Sequence, residues 1–226
     1  MGLTNRFSIV AIVAAVALVG FGAGIARADL ITYDSQSDFL TDTGATSATG
    51  ALPNLGLVGT GPITVGSVTI QSASGNLYVG GSTDWTTRLS GHDIAISGTE
   101  DLDIAVALMD PTYAFGFDFV EPEFDPNVNA PFVESTFEVK LLSGGTVVGS
   151  FTFSRPNDQA TFVGVWTDFG FDSAEIRETI GANENEFFGQ FYAGTTPIPE
   201  PGTLALLGLG LAGLVAAKRR RGRRSA

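Results

Sequence analysis

Oxygen-bearing side chains crowd one stretch of this chain: Asp118, Glu121, Glu123, Asp125, Asn127 and Asn129. Such a loop suits calcium, which takes six to eight oxygen ligands. Asp125, Asn127 and Asn129 repeat the alternate spacing that opens an EF-hand loop. Ala130, however, stands where that loop needs glycine, and Thr136 where it needs a bidentate glutamate. The stretch therefore reads as an acidic, proline-punctuated connection between strands. A structural calcium held by Asp118, Glu121, Glu123, Asp125 and Asn127 is the alternative. No other cofactor is implied.

Nucleophilic and metal chemistry is sharply limited by inventory. The chain has no cysteine and a single histidine, His92, which removes thiol nucleophiles and Cys/His zinc sites. A serine nucleophile would need His92 as its base, yet Ser90-Gly91-His92-Asp93 is not a nucleophile elbow. Carboxylates are plentiful enough for a glycosidase pair, but with 24 of them some will lie close by chance. The reading is a non-enzyme. Aromatic residues outside the phenylalanine-rich segments, namely Tyr78, Trp85, Tyr113, Trp166 and Tyr192, could instead stack against sugar rings. Trp85 and Tyr78 are the candidate glycan contacts; Trp166, at the end of an apolar run, reads as a packing residue.

Charge narrows the partners further. All 24 acidic residues lie between Asp29 and Glu200, where only Arg88, Lys140, Arg155 and Arg177 are basic, so that segment carries a formal charge of −20. Such a surface repels nucleic acid.

The two ends of the chain look like processing segments. Arg6 opens an apolar run from Phe7 to about Ala23, and Ala26-Arg27-Ala28 then supplies an A-x-A site before Asp29. Signal peptidase is expected to cut there. At the other end, Pro199-Glu200-Pro201 precedes an uncharged, mostly apolar run from Gly202 to Ala217. Lys218, Arg219, Arg220, Arg221, Arg223 and Arg224 follow it. As a helix that run is roughly 24 Å long, slightly short of a hydrocarbon core of about 30 Å, with snorkelling arginine stems making up part of the shortfall. The basic cluster places the C-terminus on the cytoplasmic side. This order of tripeptide, apolar helix and arginine cluster resembles the PEP-CTERM sorting signal of bacterial surface proteins. The resemblance implies recognition by exosortase, a membrane protease-transpeptidase, and a link to exopolysaccharide-producing Gram-negative bacteria.

Between the ends, alternation dominates. Phe115, Phe117 and Phe119 alternate with Gly116 and Asp118; Leu102, Ile104 and Val106 alternate with Asp103 and Ala105; Phe137, Val139 and Leu141 alternate with Glu138 and Lys140. Ser143-Gly144-Gly145 signals a hairpin into Val147–Phe153. Further strands are expected at Ile63–Gln71, Leu77–Val79, Trp85–Leu89, Ile94–Ser97, Thr161–Trp166, Ala174–Ile180 and Glu186–Tyr192. One short helix, capped by Asp34 or Ser35, carries Phe39 and Leu40 and ends near Gly44. Gly44 to Gly61 reads as a loop. Many short strands without interleaved helices predict two packed antiparallel sheets. The wording from Tyr113 to Gly194 resembles exported PEP-CTERM domains with lectin-like jelly-roll sandwiches.

The expectation is an all-β protein, an antiparallel two-sheet jelly-roll sandwich flanked by a signal peptide and one C-terminal transmembrane helix. Its parts are a signal peptide (1–28), an acidic β-sandwich domain (29–197) and the sorting signal (198–226). It is exported, anchored transiently in the inner membrane, and then surface-bound or secreted. Its expected role is structural or adhesive, in association with exopolysaccharide; a carbohydrate-binding module is the alternative and a glycan-active enzyme the third reading.

Overall fold

The computed structural model describes residues 29–80, 89, 91–98, 101–106, 111–122, 124–125, 130–131, 135–181, 186–197 and 210. Residues 1–28, Trp85, Glu123, Asn127 and, apart from Gly210, the sorting segment from 198 onward lie outside them. Among the described residues no helix is long and apolar enough to cross a membrane.

In chain order the elements are β1 (Leu30–Tyr33), α1 (Gln36–Thr43), β2 (Thr46–Ser47), β3 (Gly56–Gly59), β4 (Ile63–Val65), β5 (Val68–Ser72), β6 (Leu77–Val79), β7 (Ile94–Ile96) and β8 (Leu102–Val106). There follow β9 (Thr112–Val120), β10 (Phe124–Asp125), β11 (Ala130–Pro131), β12 (Thr136–Ser143), β13 (Thr146–Phe153), β14 (Thr161–Phe171), β15 (Ser173–Ile180) and β16 (Phe187–Gly194). An eight-stranded sheet runs β1-β14-β9-β16-β7-β6-β3, with β2 also paired to β16. A six-stranded sheet runs β13-β12-β15-β8-β5-β4, and β10 and β11 form a small pair of their own. The two large sheets are antiparallel, as the alternation predicts.

The core lies between them. Phe115, Phe117 and Phe119 of β9 are buried beside Phe188 and Phe191 of β16, and Phe137 and Phe153 meet them from the six-stranded sheet. Phe119 and Phe153 stand edge to face with ring centroids 5.3 Å apart, and Phe137 and Phe153 stack at 5.1 Å. These spacings match favourable aromatic geometry. Phe151, two residues before Phe153 and on the same face of β13, is partly buried against this cluster. The predicted hairpin between β12 and β13 turns at Gly144 and Gly145, with φ of 56° and 79°. That pair of positive angles matches the right-handed twist of the strands.

Four sequence expectations change. Ile63–Gln71 is two strands, because Gly66 (φ 59°) turns the chain between β4 and β5. The supposed loop from Gly44 to Gly61 contains β2 and the edge strand β3, whose alternation is masked by glycine. Leu30–Tyr33, too short to show a period, forms β1 on β14. Thr161–Trp166 continues to Phe171. The helix forms as expected: the Ser35 hydroxyl accepts from the Asp38 amide at 3.3 Å, and Gly44 closes it at φ 65°.

Helix α1 makes a partial third layer. Phe39 sits with Phe162, Trp166, Tyr192 and Ala114 in a second cluster on the outer side of the eight-stranded sheet. Gly116 permits this, since a Cβ there would lie 2.5 Å from the Phe162 ring.

Candidate functional site

Alternation along β9 sends Phe117 and Phe119 inward and Asp118 outward, to the floor of an open cleft of about 470 Å³. Asp34, Gln36, Leu89, Thr161, Phe162, Gln190 and Tyr192 are among its walls. Gln36 opens α1, Gln190 and Tyr192 come from β16, and Thr161 starts β14. The cleft thus lies beside α1, over the middle strands of the eight-stranded sheet. Gly189 clears the floor: a Cβ on it would stand 2.9 Å from that of Asp118.

Three side chains at the floor form one network. The Gln36 amide donates to Asp118 Oδ1 at 3.2 Å and to the Tyr192 hydroxyl, while the Tyr192 hydroxyl donates to Asp118 Oδ2 at 3.2 Å. Burial pushes the Asp118 carboxyl up to about 6, against the opposing pull of the Tyr192 hydrogen bond. Burial and the neighbouring Asp118 charge push the Tyr192 phenol up from its ordinary range. No cation lines the cleft among the described residues. Arg155 donates to the Phe162 carbonyl at 3.1 Å and lies near enough to Asp34 for the two charges to interact, but it is not part of the lining. The Gln36 amide protons are thus engaged within the network, and the Gln190 amide donates to the Ser47 hydroxyl, so the cleft is lined mainly by fixed acceptor oxygens, suited to donating hydroxyl groups of a ligand.

A second group of carboxyls is closed off. Glu121 Oε1 accepts from the Ser135 amide at 2.6 Å, and the Ser135 hydroxyl donates to Glu186 Oε1 at 2.5 Å. Glu121, Ser135 and Glu186 are all buried. Burial, reinforced by the charges of Glu178 and Glu121, pushes the Glu186 carboxyl up to about 8.

The oxygen-rich stretch is therefore divided rather than gathered: Asp118 faces the cleft while Glu121 sits in the closed group. Asp125 falls on β10, and Glu123 and Asn127 lie outside the described residues. Among the described residues, no three His, Cys, Asp or Glu side chains are placed to hold a metal ion. Tyr78 is 39 % exposed on β6, whereas Trp166 is buried under α1. Asp29 begins the described chain, with its amide donating to Asp168 Oδ1 at 2.9 Å. Ala26, Ala28 and Trp85 lie outside the described residues, as do Pro199, Glu200 and Pro201 and the basic cluster from Lys218. Sequence reasoning missed Gln36, Gln190 and Asp34. Asp118 carried a visible signal, as a lone carboxylate alternating with three phenylalanines, and Tyr192 was among the aromatics expected to meet sugar rings.

Residues 197–221 match the model of the PEP-CTERM protein-sorting motif, which marks an exported protein sorted to the cell surface. No curated protein matches the chain. Among solved structures, a xylan-binding domain of carbohydrate-binding family 22 is similar over 66% of this chain and 100% of its own. The identity is 13% and the TM-score 0.36. A family 29 carbohydrate-binding module is similar over 77% and 99%, with 12% identity and a TM-score of 0.31. The module CtCBM11 is similar over 67% and 95%, with 10% identity and a TM-score of 0.33.

Proposed function

We propose that this chain is a surface-displayed glycan-binding protein: an acidic jelly-roll sandwich that holds exopolysaccharide rather than cleaving it. The single observation that carries the binding reading is the cleft floor. There Asp118, Gln36 and Tyr192 are fixed by one another and Gln190, Asp34 and Thr161 surround them. A prearranged set of this kind binds hydroxyls without first having to be ordered. Display follows from the ends of the chain. Signal peptidase releases Asp29, the apolar C-terminal segment holds the chain in the inner membrane, and exosortase acts at Pro199-Glu200-Pro201 before the protein reaches the surface or the matrix. A structural or adhesive role is what such binding would serve.

Two measurements test the reading. The full chain, purified in mild detergent, is titrated with neutral oligosaccharides of gluco-, xylo- and manno- type. Binding of one series that falls about tenfold in Asp118→Ala supports the site; no binding to any series overturns it. In cells, Glu200→Ala is expected to accumulate an uncleaved, membrane-bound precursor. Equal processing of the variant and the natural chain would show that the tripeptide is not the sorting signal.

A further inference from the structure

Beyond the cleft, the same outer face carries an apolar row that crosses five strands. On β6, Leu77 and Val79 belong to the core, so Tyr78 points outward; on β7, Ile94 and Ile96 belong to the core, so Ala95 points outward. Leu57 of β3 is paired with Tyr78, Tyr78 with Ala95, and Phe187 of β16 with Val120 of β9. The gap between β7 and β16 is closed by packing, since Ala95 lies against the cluster of Phe187, Val120 and Leu89. The row therefore reads Leu57, Tyr78, Ala95, Phe187, Val120.

Its two ends differ. Phe187 and Val120 are covered, and the residue packed with them is Leu89, which is also a wall of the cleft. Leu57 and Tyr78 are open, at 58 % and 39 % exposed. Strands lie about 4.8 Å apart, so Tyr78 stands roughly 14 Å from the strand that carries Asp118. That reach exceeds one sugar ring. Sugar rings present apolar C–H faces, and an exposed tyrosine is a flat, partly polar surface for one of them.

We infer that the ligand is a neutral, linear polysaccharide lying across the strands, held in the cleft and again at the open end of this row, on Tyr78 and Leu57, beyond the covered Phe187 and Val120. Hydroxyls of one segment meet Asp118, Gln36 and Gln190, and a ring several units away lies on Tyr78 with Leu57 at its border. Neutrality follows from the cleft's two carboxylates, Asp34 and Asp118, within a segment of formal charge −20, which repel uronate or sulfate groups. This inference rests on the glycan reading of the cleft.

The test compares chain length. Disaccharides and hexasaccharides of the neutral series, with a hexagalacturonate, are titrated against the full chain and against Tyr78→Ala, Leu57→Ser and Asp118→Asn. The neutral hexasaccharide is expected to bind about tenfold more tightly than its disaccharide. Tyr78→Ala is expected to erase that gain and leave disaccharide binding unchanged, and Leu57→Ser to reduce the gain. Asp118→Asn lowers the affinity of both lengths. If the disaccharide and hexasaccharide bind alike, or the gain survives in Tyr78→Ala, the extension is wrong while the cleft reading stands. If no neutral sugar binds, both are wrong. Preference for hexagalacturonate would overturn the assignment of a neutral ligand.

Discussion

The two sheets turn opposite kinds of surface to solvent. The outer side of the six-stranded sheet is a ladder of charges that satisfy one another. Arg177 pairs with Asp103 and, at 3.4 Å, with Glu175, and it also donates to the Leu102 carbonyl at 2.8 Å. Lys140 lies 3.5 Å from Glu138. The outer side of the eight-stranded sheet carries a helix, a cleft and an apolar row. Both surfaces arise from the same alternation of inward and outward residues. What separates them is whether the outward polar groups pair off along a flat face or line an open space. Partially exposed ion pairs contribute little to stability, so the ladder mainly keeps that face hydrated.

One core holds both sheets together, and the largest expected effect comes from removing part of it. Phe117→Ala removes a ring that touches Phe153 of the opposite sheet at 5.8 Å and is expected to cost about 3–5 kcal/mol of stability by thermal or denaturant unfolding. A negligible loss would mean that the sheets do not share this packing, and the contrast between their outer faces would lose its basis.

Next comes the closed carboxyl group at the end of the eight-stranded sheet. The folded chain keeps the Glu186 proton up to about pH 8, against an ordinary value of 4.5. The folded state therefore binds more protons across that window, and stability falls as pH rises through it. Asp118 acts in the same direction between 3.8 and about 6. The melting temperature is expected to decline from pH 4.5 to pH 8. Glu186→Gln should flatten that slope and raise the melting temperature at pH 8 relative to the natural chain. An unchanged slope in the variant would remove Glu186 as its source.

The smallest effect is expected on the charge ladder. Lys140→Ala should alter stability by no more than about 0.5 kcal/mol and leave oligosaccharide titrations unchanged. If it weakened binding, the six-stranded face would also belong to the binding surface and the contrast drawn above would fail.

Much of this contrast was readable in the sequence, for definite reasons. Phe115, Phe117, Phe119, Phe137 and Phe153 alternate cleanly, and two consecutive glycines at 144 and 145 fix a hairpin register. Glu175 and Arg177 are two residues apart on one strand and fall on the same face. The cleft was not readable, because Gln36, Gln190 and Tyr192 lie far apart in sequence and meet only through the pairing of β9 with β16 and the docking of α1. The apolar row was hidden for a similar reason: its members are contributed one each by five strands, and no single segment of sequence shows them together. The oxygen-rich stretch misled because proximity in sequence concealed a division in space. Asp118 is still within β9 and points outward, while Glu121 lies just past its end, beside Ser135.

The place of β16 in the topology decides how a pull on the tail would enter the fold. Strand β16 ends at Gly194, just before the matched motif begins at position 197, so tension on the C-terminal tail enters the fold through that strand. β16 is interior, hydrogen-bonded to β9 on one side and to β7 and β2 on the other. An edge strand peels away one bond after another, whereas an interior strand pulled along its axis loads many bonds together. Gln190 and Tyr192, which line the cleft, stand on the same strand. Tension between a molecule gripped there and the tail would run along a few residues of one strand.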